Sequence, residues 1–384
     1  MKSSCHNHNG MQILMLNYEF PPLGGGAGNA NYFLFKELSK VDNLKIDLVT
    51  SSVSSFRIEN FSENITIHYL DIGKRGNLLY QSNKDLLRYS YKAYFYSKQL
   101  IKNRRFDFIH AFFGIPCGYI AYKLRLPFII SLRGSDVPGH NPGFKKIHRL
   151  LYYINRKTWR NAKKIIANSE DLKRTALNTN FVEHIDVIPN GVDCNLFKPY
   201  LQKKNNVELN LLFAGRLNKV KNIDVIIRAV AELNGVILNI VGDGPEKQNL
   251  KMLVQSLNIT GKVNFLNRRS HDELKDIYNQ NDLFLLLSLG EGGSNVVMEA
   301  MACGMPAIIM NTGGAANIIK ENGFVLNTLT TEILKEKIDY FVKDKEEIIK
   351  MGKKSREIAE SFSWENTAKQ YSKIYCDLIS STGG

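Results

Sequence analysis

Short apolar runs alternate with helical periods along this chain, and the alternation is interrupted once and then resumed. Before the interruption, residues 11–17, 45–50, 65–70, 106–111, 128–132 and 164–167 read as strands, and 29–39, 84–103 and 169–178 as helices. At Ile188 the pattern breaks into IPNGVDCNLFKP, whose two prolines and Asn-Gly turn mark a hinge. It then restarts with strands at 210–214, 236–241, 262–266, 283–287 and 307–310. Helices at 222–233, 246–257, 271–279 and 295–303 lie between them, and helical stretches 345–361 and 364–380 follow. Such alternation predicts parallel strands with helices on both faces, here an α/β chain of two doubly wound, Rossmann-like domains. A length of 384 residues suits two domains of about 190 each. The expected division is a flexible tail over 1–10, a first domain over 11–190, a second over 191–363, and a last helix over 364–384. Domains of this kind bind ligands beyond the carboxyl ends of their strands, so a cleft between two facing sheets is the expected site.

Charge divides unevenly between the halves. Residues 1–190 hold 27 Lys and Arg against 14 Asp and Glu, whereas 191–384 hold 24 against 23. The net charge of +14 therefore resides almost wholly in the first half, which points to an anionic partner there. No apolar run approaches the ~20 residues that span a bilayer, and the run at 11–16 is too short for a signal-peptide core. Five scattered cysteines without a CxxC pair fit reduced thiols and argue against a zinc site.

The strongest local signal is the run Glu291-Gly-Gly-Ser-Asn-Val-Val-Met-Glu299. Gly292 and Gly293 follow a strand and permit a tight turn, and a helix opens at about Ser294 or Asn295. A helix N-terminus, with free N–H groups and a positive dipole end, suits a diphosphate. Glu291 and Glu299, ~12 Å apart if helical, can accept hydrogen bonds from sugar hydroxyls. A capped helix with a solvated Glu would show the same spacing. Arg216 and Lys221, in GRLNKVKN after a buried strand, offer two cations for a diphosphate. Gly242, in VGDGPE, opens an equivalent strand-to-helix turn. In the first half, PPLGGGAG places Gly25 and Gly26 at the start of a helix, where backbone N–H groups can meet phosphate. Arg133 and Asp136, in SLRGSD at a strand end, can face an acceptor: Arg133 by neutralising charge, Asp136 by orienting a hydroxyl or by capping its own loop.

In this order, these pieces resemble glycosyltransferase family 4, whose members are retaining enzymes of the GT-B fold. The resemblance runs from about Met11 to Ser380 and is most specific in the E-x7-E run with its EAMACGMP tail, in IPNGVD and in GRLNKVKN. It implies a nucleotide-diphospho-sugar donor held mainly by the second domain and an acceptor bound by the first. By that resemblance Glu299 binds the donor ribose and Glu291 the transferred sugar. Arg216, Lys221 and the Gly25–Gly26 backbone hold the diphosphate, Gly293, Ser294 and Asn295 form the helix start beside it, and the backbone near Arg268 reads the base. The last helix is expected to cross back onto the first domain. One departure is evident: the family often carries His-Gly-x-Asp where this chain has Arg133-Gly-Ser-Asp136, so the role of that His near the anomeric centre does not transfer to Arg133. His110, at a strand end, is a substitute or a structural histidine.

The chain contains no DxD triplet, so neither a bridging metal nor any other cofactor is expected. The resemblance implies same-face attack, with the departing phosphate accepting the acceptor's proton. A UDP-sugar is the favoured donor and GDP-mannose the alternative, with a hexose or N-acetylhexosamine moved during cell-surface polysaccharide or lipopolysaccharide synthesis. The segments 84–105 and 145–164 mix Lys and Arg with Tyr, Phe, Trp and Leu, as suits docking on an anionic membrane where each cation is worth about 1 kcal/mol. A solvated basic face over core aromatics is the plainer reading. A lipid-linked acceptor at the cytoplasmic face of the inner membrane is the resulting expectation. A nucleic-acid binder and a non-catalytic sugar-nucleotide binder are the rival classes; the first leaves the neutral second half unexplained.

Overall fold

The computed structural model describes residues 10–74, 81–200, 207–288, 294–312 and 314–382. The expected tail over 1–10 lies, apart from Gly10, outside them. The chain divides into two compact units, Met1–Gly191 with Trp364–Gly384 and Val192–Ser363.

The first unit carries strands β1 (Met11–Leu16), β2 (Leu44–Ser52), β3 (Arg57–Ser62), β4 (Ile65–Asp71), β5 (Phe108–Phe112), β6 (Phe128–Ser131), β7 (Lys164–Ala167) and β8 (Asp186–Val187). Its helices are α1 (Gly26–Leu38), α2 (Asn83–Asn103), α3 (Tyr119–Leu124), α4 (Lys145–Leu150), α5 (Tyr152–Asn161) and α6 (Glu170–Leu177). The sheet order is β3-β4-β2-β1-β5-β6-β7-β8. Every pairing is parallel except β3 with β4. Ile13 to Leu16 of the central strand are fully buried, as a strand covered on both faces must be. β3 was not expected: RIENFS has no apolar run, and as an outer hairpin strand it leaves Glu59 and Ile58 exposed. Helix starts follow the usual side-chain chemistry. Ser82 and Asp85 close a capping box on α2, and Ser169 caps α6.

The second unit carries β9 (Leu209–Ala214), β10 (Val236–Val241), β11 (Val263–Phe265), β12 (Leu283–Leu286), β13 (Ala307–Met310) and β14 (Gly323–Leu326). Helices α7 (Ile223–Ala231), α8 (Lys247–Ser256), α9 (His271–Asn279), α10 (Ser294–Ala302), α11 (Thr331–Lys343) and α12 (Lys345–Ser361) surround it. The order is β11-β10-β9-β12-β13-β14, all parallel. The sequence reading missed β14 and α11. Arg356 of α12 ties this unit to the hinge segment, donating to the carbonyls of Phe197 (2.8 Å), Ala302 (2.7 Å) and Cys194 (3.1 Å).

The final helix α13 (Trp364–Thr382) belongs to the first unit and packs on α1, with Trp364 stacked on Phe33 at 5.8 Å. A Cβ on Gly191 would lie 2.5 Å from the Trp364 backbone, so the hinge glycine is a close-approach residue. Cys117, Cys194 and Cys303 are free thiols, whereas Cys376 is disulfide-bonded, so the expectation of reduced thiols does not extend to it. Among the described residues no helix is long and apolar enough to cross a membrane.

Candidate active site

In the second sheet the chain runs outward from β9 through β10 to β11, then returns to the other side of β9 with β12. The switch point therefore lies between β9 and β12, and the loops beyond their carboxyl ends border the crevice where a doubly wound sheet binds its ligand. These are the segments that hold Arg216, Lys221 and the Glu291–Glu299 run. Neighbouring loops are stitched to one another by backbone. Gly215 N–H donates to Val241 O at 3.0 Å, Leu217 N–H to Asp243 O at 3.0 Å, and Glu246 N–H to Leu217 O at 3.0 Å. Gly242 N–H donates to Asn267 O at 2.9 Å, which joins the loop after β11 to the same assembly. Gly242 is required by geometry: its φ is +143°, and a Cβ there would lie 1.8 Å from Gly215 O. Asn222, left-handed at φ 50°, donates from Nδ2 to Leu287 O at 2.7 Å, joining the β9 loop to the end of β12.

On this frame Arg216 and Arg268 are exposed, and Lys221 is buried in a short 3-10 turn. Glu291 and Gly293 lie outside the described residues. α10 begins at Ser294. Glu299 sits in the second turn of α10, only 8% exposed, and accepts a hydrogen bond from Tyr278 Oη of α9 at 2.9 Å. Burial pushes its carboxyl from 4.5 up to about 7, while the Tyr278 bond pulls the other way. Burial and the adjacent Glu299 in turn raise the Tyr278 phenol well above its ordinary value.

The first unit has its own switch point, between β1 and β5, and the glycine loop follows β1. Gly24 has φ +93°, and Gly25 precedes the first residue of α1 with no side-chain cap. Gly25 N–H already points at Glu19 Oε2, at 3.4 Å, and burial raises the Glu19 pKa. The Glu19 carboxylate thus lies against one of the two backbone N–H groups that the sequence offered to a phosphate. Asp136 is buried and accepts three backbone N–H groups: Gly114 at 2.7 Å, and Arg133 and Gly134 at 2.9 Å each. Of the two roles open to it from sequence, this geometry is the loop-holding one. Arg133 reaches Asn190 Oδ1 of the hinge at 2.9 Å and Tyr371 Oη of α13 at 3.4 Å, over the Phe112 ring at 4.3 Å. His110 is fully buried between Ser131 Oγ and Tyr375 Oη, both at 2.8 Å, and burial with nearby Arg133 holds its pKa well below the usual value. That is a structural histidine, not a stand-in for the missing one.

Comparison with known proteins agrees with this architecture. Residues 24–196 match the family model described as Glycosyltransferase Family 4, and residues 199–358 match that of Glycosyl transferases group 1. The chain belongs to glycosyltransferase family 4. It is 26% identical to N-acetyl-alpha-D-glucosaminyl L-malate synthase of Bacillus anthracis, across 93% of this chain and 95% of the relative. Among solved structures, sucrose-phosphate synthase from Thermosynechococcus elongatus superposes with a TM-score of 0.80 at 21% identity, covering 97% of this chain and 100% of the other. Anabaena HepE in complex with UDP-glucose gives a TM-score of 0.73 at 21% identity, covering 97% and 100%. The protein is a glycosyltransferase of the GT-B fold.

Several residues that shape this glycosyltransferase's loops were not singled out from sequence. Tyr278 lies on α9, 21 residues from Glu299, and no short motif joins them. Tyr371 and Tyr375 lie on the last helix, and their hydroxyls bond the Ser131–His110 pair more than 200 residues away in the chain. Glu19 stood beside the glycine loop, and its acidity next to an expected phosphate site was the one signal available.

Proposed function

We propose that this glycosyltransferase moves a hexose or N-acetylhexosamine from a UDP-sugar to a saccharide acceptor carried on a lipid, without a metal and with retention at the anomeric carbon. The observation that carries the reading is the convergence of the β9, β10, β11 and β12 loops at one switch point, with Arg216, Lys221 and the start of α10 among them. Support for UDP comes from the likeness to HepE, solved with UDP-glucose, and for an amino sugar from the likeness to the glucosaminyl malate synthase.

In this reading Glu299 accepts hydrogen bonds from the donor ribose and Glu291 from the transferred sugar. Arg216, Lys221 and the N–H groups opening α10 take up the charge that develops on the diphosphate. The acceptor oxygen forms its bond to the anomeric carbon on the face the leaving phosphate vacates, the sugar–phosphate bond breaks, and the acceptor's proton passes to a phosphate oxygen. The enzyme acts at the cytoplasmic face of the inner membrane.

A screen of UDP-glucose, UDP-galactose, UDP-N-acetylglucosamine and GDP-mannose by donor hydrolysis tests this. A UDP-sugar should be hydrolysed at a rate unaltered by EDTA, and Arg216→Ala or Lys221→Ala should cost roughly 100-fold or more in turnover. If no donor is bound or hydrolysed, or if Glu291→Ala matches the wild type, the proposal is wrong; hydrolysis of GDP-mannose alone would replace the donor.

A further inference from the structure

We infer that the outer face of α2, continued by α4 and α5, is a surface that inserts apolar side chains into an anionic bilayer; this rests on the proposed lipid-linked acceptor and names the partner that delivers it. The inner face of α2 is settled: Tyr89, Ala93 and Ser97 are buried against the sheet. The outer face is unusual. Leu87 is 72% exposed, Tyr91 68% and Phe95 52%, spaced four residues apart so that they form one stripe along the helix. Tyr91 and Phe95 touch, with ring centroids 4.7 Å apart. Phe56, 49% exposed, extends the apolar surface towards β3 through its contact with Tyr96 at 5.5 Å.

Charge singles out the occupant. The exposed residues flanking the stripe include Lys84, Arg88, Lys92, Lys98 and Lys102. The one acid of α2, Asp85, is turned into the capping box and onto Lys74 at 3.2 Å. α4 and α5 contain no acid at all and expose Leu150 (81%) and Tyr153 (79%) beside Lys145, Lys146, Arg149 and Lys157. These helices share a side of the sheet, since α3 packs against both α2 and α5, and α3 itself exposes Lys123. A cationic face whose helices carry no solvated carboxylate and expose aromatics and leucines matches the headgroup–acyl boundary of an anionic membrane. There cations meet lipid phosphate and the apolar side chains leave water. Nucleic acid would reward the cations but leave the Leu87 and Leu150 side chains in water. A core-facing role is excluded for the outer faces of α2 and α5, because α2 already buries Tyr89, Ala93 and Ser97 and α5 already buries Asn155, Thr158 and Trp159.

Co-sedimentation of the full chain with vesicles tests the inference. One set is phosphatidylcholine alone and the other phosphatidylcholine with phosphatidylglycerol, each at low and high salt. Binding is expected to the anionic vesicles, with a fraction that survives high salt. Lys84→Gln, Lys92→Gln and Lys98→Gln combined should weaken it by roughly 100-fold, about fivefold per cation. Leu87→Ser, Tyr91→Ser and Phe95→Ser combined should abolish the salt-resistant fraction while the chain stays folded with its thermal midpoint only slightly lowered, since these side chains are more exposed than buried. Equal failure of the wild type on both vesicle sets overturns the inference, as does indifference of its binding to both triple variants. It also fails if single-stranded or duplex nucleic acid binds as tightly and with the same sensitivity to the Lys variants. Donor hydrolysis measured without vesicles reads the catalytic proposal separately, so that it can stand while this surface falls.

Discussion

Replacing Glu299 by Gln removes a carboxyl that burial holds at a pKa of about 7, against 4.5 when exposed. Because the folded-state value is the higher one, the folded protein binds this proton more tightly than the unfolded chain does. Stability from this group is therefore full below about pH 4.5, is lost progressively as pH rises, and is fully lost above about 7. A displacement of that size corresponds to about 3 kcal/mol at roughly 1.4 kcal/mol per pH unit. Gln cannot ionise and keeps an oxygen for the Tyr278 hydroxyl, so it escapes the loss. Thermal unfolding of the second unit, followed in wild type and Glu299→Gln, should show near-equal midpoints at about pH 5. At about pH 8 the variant should be higher by roughly 6–12 °C, at 2–4 °C per kcal/mol for a unit of this size. The same variant should bind UDP more weakly, because ribose hydroxyls donate best to a carboxylate. Wild-type affinity for UDP should fall as pH drops below about 7, and the variant's should stay flat. If the difference in midpoint is the same at both pH values, the buried Glu299 carboxyl is not what titrates and the argument fails.

Two further substitutions test the frame around the site. Gly242→Ala forces a Cβ to 1.8 Å from Gly215 O and so must unstitch the β9 and β10 loops. We expect a loss of about 3 kcal/mol or more in the second unit, with UDP binding abolished by calorimetry and the first unit's transition unmoved. Asp136→Asn sets an amide N–H group against backbone donors now satisfied by Gly114, Arg133 and Gly134 bonds. A cost of about 2–4 kcal/mol and faster hydrogen exchange at Gly114 and Gly134 should follow, with UDP affinity unchanged. A loss of turnover without loss of stability would return Asp136 to a chemical role.

Much of this fold was legible along the chain because an apolar strand covered by helices writes itself as a contiguous run. β10, β13 and α9 match the ranges read from sequence. β3 was not legible, since an exposed antiparallel edge carries no such run, and α3 and β8 are too short for a period to register. The hinge was visible in its Pro and Asn-Gly residues, and the packing of Gly191 on Trp364 gives the reason for one of them. For the site, strand-end glycines and cations were readable because a phosphate-binding turn is local chemistry. Lys221 falls on a loop at the switch of the second sheet, and Gly242 on the neighbouring loop stitched to it. Glu291, Gly292 and Gly293 lie outside the described residues.

By itself, then, the sequence determined the two α/β units, the location of the loop that carries Arg216 and Lys221 and of the helix that carries Glu299, and the basic character of the first unit. Each follows from interactions among residues close in the chain or from simple composition. Only the tertiary structure decided which of those side chains are free to act. Asp136 is held by three backbone donors, and His110 is sealed under α13. Glu19 faces the Gly25 N–H, and Glu299 is lifted to about 7 by burial beside Tyr278. Desolvation and hydrogen bonding act between residues far apart in sequence, and no local spacing encodes them. The outer face of α2 is the same lesson in reverse. Its aromatics could equally have been core, and their exposure marks them as a surface.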